Sequence, residues 1–194
     1  MGSMGYIGNK KIEVSSVKTM ISALTLATLI LVGASPILGS DTQPTEAEKV
    51  ARTYMTAFFH GDIDNAVSLM HPVILEQQKA NIAKAYEEAK KKGKEKEFRE
   101  SFKHIGDVDS LLKLPAPEFW STLMKKDRER AAAQNLEAMK KSVVKVIGSE
   151  TTKENTVKVK LQITIPTATG ETKQEGAILL SLYNGKWRVV EGAK

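Results

Sequence analysis

Six side chains are of the types that move protons in a pocket: His60, His71, Asp62, Asp64, Asp127 and Tyr54. General acid–base catalysis needs an acid, a base and a donor for the developing oxyanion in one place. No spacing in the chain gathers all three. Asp62 and Asp64 are explained by a helix start, one as cap and one in the first turn. His60 falls in the last turn of a predicted helix, where partial positive charge suits the dipole, and His71 precedes Pro72 at a break. A metal site is no better supported, because His60, His71 and His104 form neither HxxxH nor HxH. The absence of cysteine removes disulfides, thiolate zinc sites, iron–sulfur clusters and thiol nucleophiles together. Neither GxGxxG nor GxxxxGK[ST] occurs, so no phosphate loop is present. No cofactor and no metal are expected, and the chain reads as non-enzymatic.

Binding is the other chemistry to weigh. Phe58, Phe59, Phe119 and Trp120 are the candidate lining of a hydrophobic pocket for a small apolar or peptide ligand. The same spacing also suits plain core packing, since aromatic stripes at helical intervals usually face other helices.

These residues must be positioned by a helical half followed by a sheet half. Thr45 to Glu48 carries a capping box, so a helix should begin there. Ala47, Val50, Ala51, Tyr54 and Phe58 then lay one apolar stripe along it, and Gly61 ends it. Asp62 caps a second helix carrying Ile63, Ala66, Val67, Leu69 and Met70, which Pro72 stops or bends. Helical periodicity resumes over Val73–His104, with a weak point at Gly93, and again over Glu118–Lys141 after Pro115 and Pro117. After Ser142 the period changes to two. Val157, Val159, Leu161, Ile163 and Ile165 alternate with Lys158, Lys160, Gln162 and Thr164, a strand with one buried and one wet face. Val143–Gly148 precedes it, Glu175–Tyr183 follows, and Asn184-Gly185 is a type I′ loop into Lys186–Glu191. Four antiparallel strands must bury one face against the upstream helices, which predicts an α+β fold.

The first forty residues read differently. Lys10, Lys11 and Lys18 precede an uncharged stretch over Thr19–Ser40, a basic n-region and an h-region. Val32-Gly33-Ala34 suits a signal peptidase, with Gly39 as a second site; a retained membrane anchor is the alternative, since Thr19–Leu38 is long enough to span a bilayer. Either way the lysines place the rest of the chain outside the cytoplasm. Residues 1–40 are therefore the signal peptide or anchor, and 41–194 the domain. Removing 1–40 leaves 26 basic and 22 acidic residues, a formal +4. That excess does not indicate nucleic-acid binding: Lys84–Lys103 mixes eight basic with five acidic residues and has no arginine cluster. A solvated helix face is expected there. With 41% apolar and 27% charged residues, the 194-residue chain holds one ordinary domain, and neither a rod nor a disordered chain.

The opening Phe58-Phe59-His60-Gly61-Asp62-Ile63-Asp64-Asn65-Ala66, with the closing Leu182-Tyr-Asn-Gly-Lys-Trp-Arg-Val-Val190, resembles the nuclear-transport-factor-2-like (cystatin-like) superfamily, in particular its small exported bacterial members. The resemblance spans residues 44–192. It implies helices wrapped by a curved, cone-like four-stranded sheet, with Trp187 plugging the open side. Residues 73–141 then form a helical extension longer than that family's core. The superfamily includes isomerases and cyclases that use a pocket carboxylate or histidine, accessory binding domains, and the periplasmic cones of type IV secretion machines behind one membrane helix. The expectation for this chain is a non-enzymatic binding or assembly domain of the bacterial envelope, periplasmic or extracellular, and inner-membrane anchored if the N-terminal segment is retained. Its expected partner is a protein or a small apolar ligand, with a homodimer as a further arrangement and membrane contact only through the N-terminal segment. The first test is of processing: mass spectrometry of the native protein should find a mature N-terminus at Ser35 or within about five residues of it. A full-length mass in the membrane fraction would show a retained anchor.

Overall fold

The computed structural model describes residues 45–191 except residue 132, so the export segment predicted at 1–40 lies outside the described residues. Within that span the chain is α+β, with helices packed on a four-stranded antiparallel sheet. The first helix, α1 (Glu46–His60), begins on the expected capping box: Thr45 Oγ1 accepts from the Glu48 amide at 3.3 Å, and Glu48 Oε2 accepts from the Thr45 amide at 2.7 Å. It ends at Gly61, whose φ of 89° is left-handed. The Gly61 and Asp62 amides both return to Ala57 O, at 3.0 and 2.9 Å, a Schellman-type closure that satisfies part of the last turn. Asp62 caps α2 (Ile63–Ser68) through the Asn65 amide. Pro72 then starts α3 (Pro72–Lys91) rather than stopping a helix, because at the first helical position its missing N–H costs nothing.

Gly93, with φ 67°, separates α3 from α4 (Glu95–Phe102), as its weak point predicted. Asp107 caps a further short helix, α5 (Val108–Lys113). The single helix expected over Glu118–Lys141 is instead two, α6 (Ala116–Glu129) and α7 (Ala133–Lys140). Arg130 and Ala131 tighten to i→i−3 bonds at the break. Nothing in Arg-Ala-Ala-Ala-Gln is a helix breaker, so the cause is tertiary. Phe119, Trp120 and Leu123 of α6 belong to one core while Met139 of α7 packs against another, and one straight helix cannot serve both.

The strands β1 (Val143–Lys153), β2 (Thr156–Thr167), β3 (Gly170–Tyr183) and β4 (Lys186–Glu191) pair in chain order. The first three are longer than the alternation alone predicted, and β4 has the expected bounds: β1 runs through Thr151–Lys153, and the turn reduces to Glu154-Asn155. Asn184 and Gly185 both have positive φ, 50° and 73°, as a type I′ hairpin demands. Two edges remain to be managed. On β4, the Val189 amide donates to Leu69 O at 2.9 Å and the His71 amide donates to Val189 O at 2.8 Å, so the α2–α3 link closes that edge. On β1, the register slips between Val146 and Gly148, a bulge that interrupts the free edge.

Burial divides into two cores. The inner sheet face, with Val159, Leu161, Ile163, Ile178, Leu180 and Val189, packs on α1 through Ala51, Tyr54 and Met55. Trp187 is partly buried against this cluster rather than sealed within it. The helices α3–α6, with Ile63 and Val67 of α2, form a second core around Tyr86, Phe98, Phe102, Phe119 and Trp120, so the extension packs on itself and on α2. On its surface Arg99 joins α4 to the start of α5, reaching Glu95 at 2.8 Å, Asp107 at 3.0 Å and Asp109 at 2.5 Å. The lysine run is solvated as expected, with Lys90 and Lys92 paired to Glu87 and Glu88.

Arg128 of α6 ties the cores together. Its Nη1 and Nη2 donate to Phe58 O and Phe59 O at 3.0 and 2.8 Å, at the negative end of the α1 dipole. A Cβ at Gly61 would stand 3.0 Å from Arg128 Nε. Gly61→Ala therefore meets both an unfavourable φ and this side chain, and should cost about 1–2 kcal/mol in urea unfolding. In an Arg128→Ala background the cost should fall to the backbone part alone; purely additive costs would mean that the guanidinium does not press on Gly61.

Candidate functional site

The last full turn of α6 places Asp127 and Arg128 side by side in sequence but in different roles. Arg128 is spent on α1, and burial pulls its guanidinium below its ordinary range. Asp127 has a side chain only 5% exposed. Its Oδ1 lies 2.7 Å from Nε2 of His104, which sits in the link between α4 and α5. Arg130 Nη1 also approaches that Nε2, at 3.3 Å. An arginine can only donate, and one imidazole nitrogen cannot donate and accept at once. The shorter contact with the carboxylate assigns the Nε2–H to Asp127. The second oxygen, Oδ2, is buried and has no hydrogen-bond partner among the described residues.

Asp127 lines a cavity of about 80 Å³ between α1, α2, α6 and α7. Phe58, Ile63, Leu123, Met124, Leu136 and Met139 supply apolar walls. It differs in kind from the larger groove of about 340 Å³ over the outer face of α1 and α2, lined by Arg52, Thr53, Thr56, His60, Asp62 and Asn65. That groove is open, and two of its polar groups are already engaged: His60 Nε2 lies 3.2 Å from Ser142 O, and Asp62 caps α2. The smaller cavity is the less open of the two and its lining is mostly apolar, so it is the better candidate for a ligand.

The four aromatic residues singled out by spacing do not line one pocket. Phe58 lines the cavity. Phe59, edge-on to it at 5.8 Å between ring centroids, points into the sheet core. Phe119 and Trp120 are 1% and 3% exposed in the helical core, where Trp120 Nε1 donates to Leu75 O at 3.1 Å. Phe58 and Phe59, about 100° apart on α1, diverge to the cavity and the sheet core, while Phe119 and Trp120 share the helical core, so only Phe58 of the four lines the cavity. The proton-transfer candidates are likewise dispersed. Asp64 holds Lys125 at 2.7 Å on the surface, and that hydrogen bond lowers its carboxyl below the ordinary range. His71 packs at a tilt against Tyr183, 4.6 Å between ring centroids, with Nδ1 buried and unpartnered among the described residues. Among the described residues no group of three or more histidine and carboxylate side chains could hold a metal, and no helix is long and apolar enough to cross a membrane. Of all the candidates only Asp127 lies in a cavity beside a titratable partner, and that partner, His104, is 23 residues away with no spacing rule to link them.

Compared with protein families, with curated proteins and with solved structures, the chain finds no match.

Tyr54 is excluded from proton transfer at neutral pH by its surroundings. It is buried under the sheet, and burial pushes its hydroxyl up to about 12. The folded pKa is raised, so the full stability is present below pH 10, where the hydroxyl is neutral in both states. It is lost as pH rises from about 10 to about 12, because the unfolded chain ionises first. Over that window the wild type should lose up to roughly 3 kcal/mol more than Tyr54→Phe in denaturant titrations. Equal alkaline losses would place Tyr54 in contact with water.

Proposed function

We propose that this chain is an exported, non-enzymatic binding domain of the bacterial cell envelope, built on the nuclear-transport-factor-2-like plan with a self-packed helical extension. The observation that carries the binding reading is the apolar cavity beside α6, walled by residues of both cores. The family reading rests on the sequence resemblance at the Gly61-Asp62 corner and the closing Trp187 hairpin, with which helices before a four-stranded antiparallel sheet are compatible; on that plan the sheet would curve as a cone around α1. The basic and apolar stretches before Ser40 support export.

A second reading is favoured by one feature, the Asp127–His104 pair, which has the elements of a general base: an isomerase- or cyclase-like proton transfer. It would need a donor for an oxyanion in the same cavity, and the lining offers only Arg128, whose two Nη groups already serve α1.

Occupancy is testable without knowing the ligand. Xenon, a small apolar probe, should shift the methyl resonances of Met124 and Met139 in native protein carrying isotope-labelled methionine, and spare methionines remote from the cavity. Ala131→Leu, which narrows the cavity, should weaken the effect several-fold. Unmoved Met124 and Met139 resonances would mean that no ligand enters here, and would remove the basis for the binding reading.

A further inference from the structure

We infer that the open groove over α1 and α2 binds a short peptide with both ends free, about four small residues long, with its terminal carboxylate at Arg52 and its terminal ammonium at Asp62. This site is separate from the apolar cavity, and its test does not depend on what enters there. Arg52 and Asp62 both line the groove, which holds about 340 Å³. Neither takes part in an ion pair among the described residues, with the other or with any neighbour. By contrast Lys49, Lys125 and Lys140 each hold a carboxylate, at 2.8, 2.7 and 2.8 Å. A groove with one free cation and one free anion complements a ligand that carries the opposite pair.

Spacing sets the length. Arg52 precedes His60 by two turns and a fraction of α1, about 12 Å along the axis at about 1.5 Å per residue, and Asp62 lies beyond the turn at Gly61. An extended chain covers at most about 3.3–3.6 Å per residue, so roughly four residues bridge the two charges. The rest of the lining suits a peptide backbone. The hydroxyls of Thr53 and Thr56 and the carboxamide of Asn65 make no hydrogen bond among the described residues, whereas Ser68, Ser101 and Ser142 each donate to a carbonyl three residues back. A hydroxyl or a carboxamide both donates and accepts, which is what alternating peptide N–H and C=O groups require. His60 is held at Ser142 O and Asp62 at the Asn65 amide, so this part of the wall is in place before a ligand arrives. Ala57 is the one apolar residue of the lining, so the peptide's own side chains find no pocket and must be small.

Tetra-alanine carries the two charges and little else. It is titrated at about pH 6.5, where both its ends are charged, into isotope-labelled native protein and followed on the backbone amide resonances of Thr53, Thr56 and Asn65. It should bind more tightly than its N-acetylated form and than its C-terminal amide, each blocked end weakening binding about two- to five-fold, the scale of an exposed ion pair. Dialanine is too short to reach both charges and should bind no better than the blocked forms. Arg52→Gln should remove the penalty for amidation and leave that for acetylation. Asp62→Asn should do the reverse, and it keeps the start of α2 because asparagine caps as well as aspartate. Salt at about 1 M should erase both penalties. The four peptides on the wild type give a complete answer even where a variant fails to fold. If all of them bind alike, or none binds, the inference is overturned. A penalty at one end alone overturns it in favour of a singly charged ligand, and dialanine equal to tetra-alanine overturns the two-ended mode. Xenon reads a different place on the molecule, so the cavity reading stands or falls separately.

Discussion

The arrangement of this molecule turns on one guanidinium. A helix leaves its last carbonyls without partners, and at the end of α1 the backbone closure at Gly61 meets part of that need while Arg128 meets the rest from another helix. Because Arg128 belongs to α6, the same two hydrogen bonds that finish α1 also set the distance between the sheet core and the helical core. Gly61 is the complement of that contact: its left-handed φ turns the chain into α2, and its missing side chain leaves room for the arginine. With Phe58 packed against both cores at the same point, the junction is apolar on one side and charged on the other, and the cavity lies at this junction.

What could be read in advance was whatever depends on neighbours in sequence. Thr45, Gly61, Asp62 and Asn184-Gly185 act through backbone groups one to four residues away, so their types alone reveal their roles. The strand alternation from Val157 to Ile165 is local in the same sense. What escaped depends on tertiary demand. The break between α6 and α7 occurs in helix-forming residues, because two cores compete for one segment. Pro72 could stop a helix or start one, and only the pairing of the preceding link with β4 decides that it starts one.

The site was partly legible for the same reason. Asp127 stood out as a titratable side chain and Phe58 as an aromatic one, yet nothing in their spacing joins them. His104 enters because the α4–α5 link passes the end of α6, a consequence of how Phe98, Phe102 and Ile105 bury themselves in the helical core. Phe119 and Trp120 show the opposite case. Their chemistry suits a pocket as well as a core, and the Trp120 indole finds its acceptor, Leu75 O, inside the protein, which removes the need for an outside partner.

The closure of β4 by the α2–α3 link sets an order of events during biosynthesis. Leu69 O and the His71 amide receive their partners only from Val189, and Arg188 reaches Ser68 O across 120 residues of sequence. A nascent chain can make α1, α2 and the local turns early, since those contacts close short loops. Without β4, the Leu69 carbonyl and the His71 amide lose their partners on Val189, so this six-residue strand works as a latch on the α2–α3 corner. Truncation before Val189 would open the edge of β3 and release that corner together.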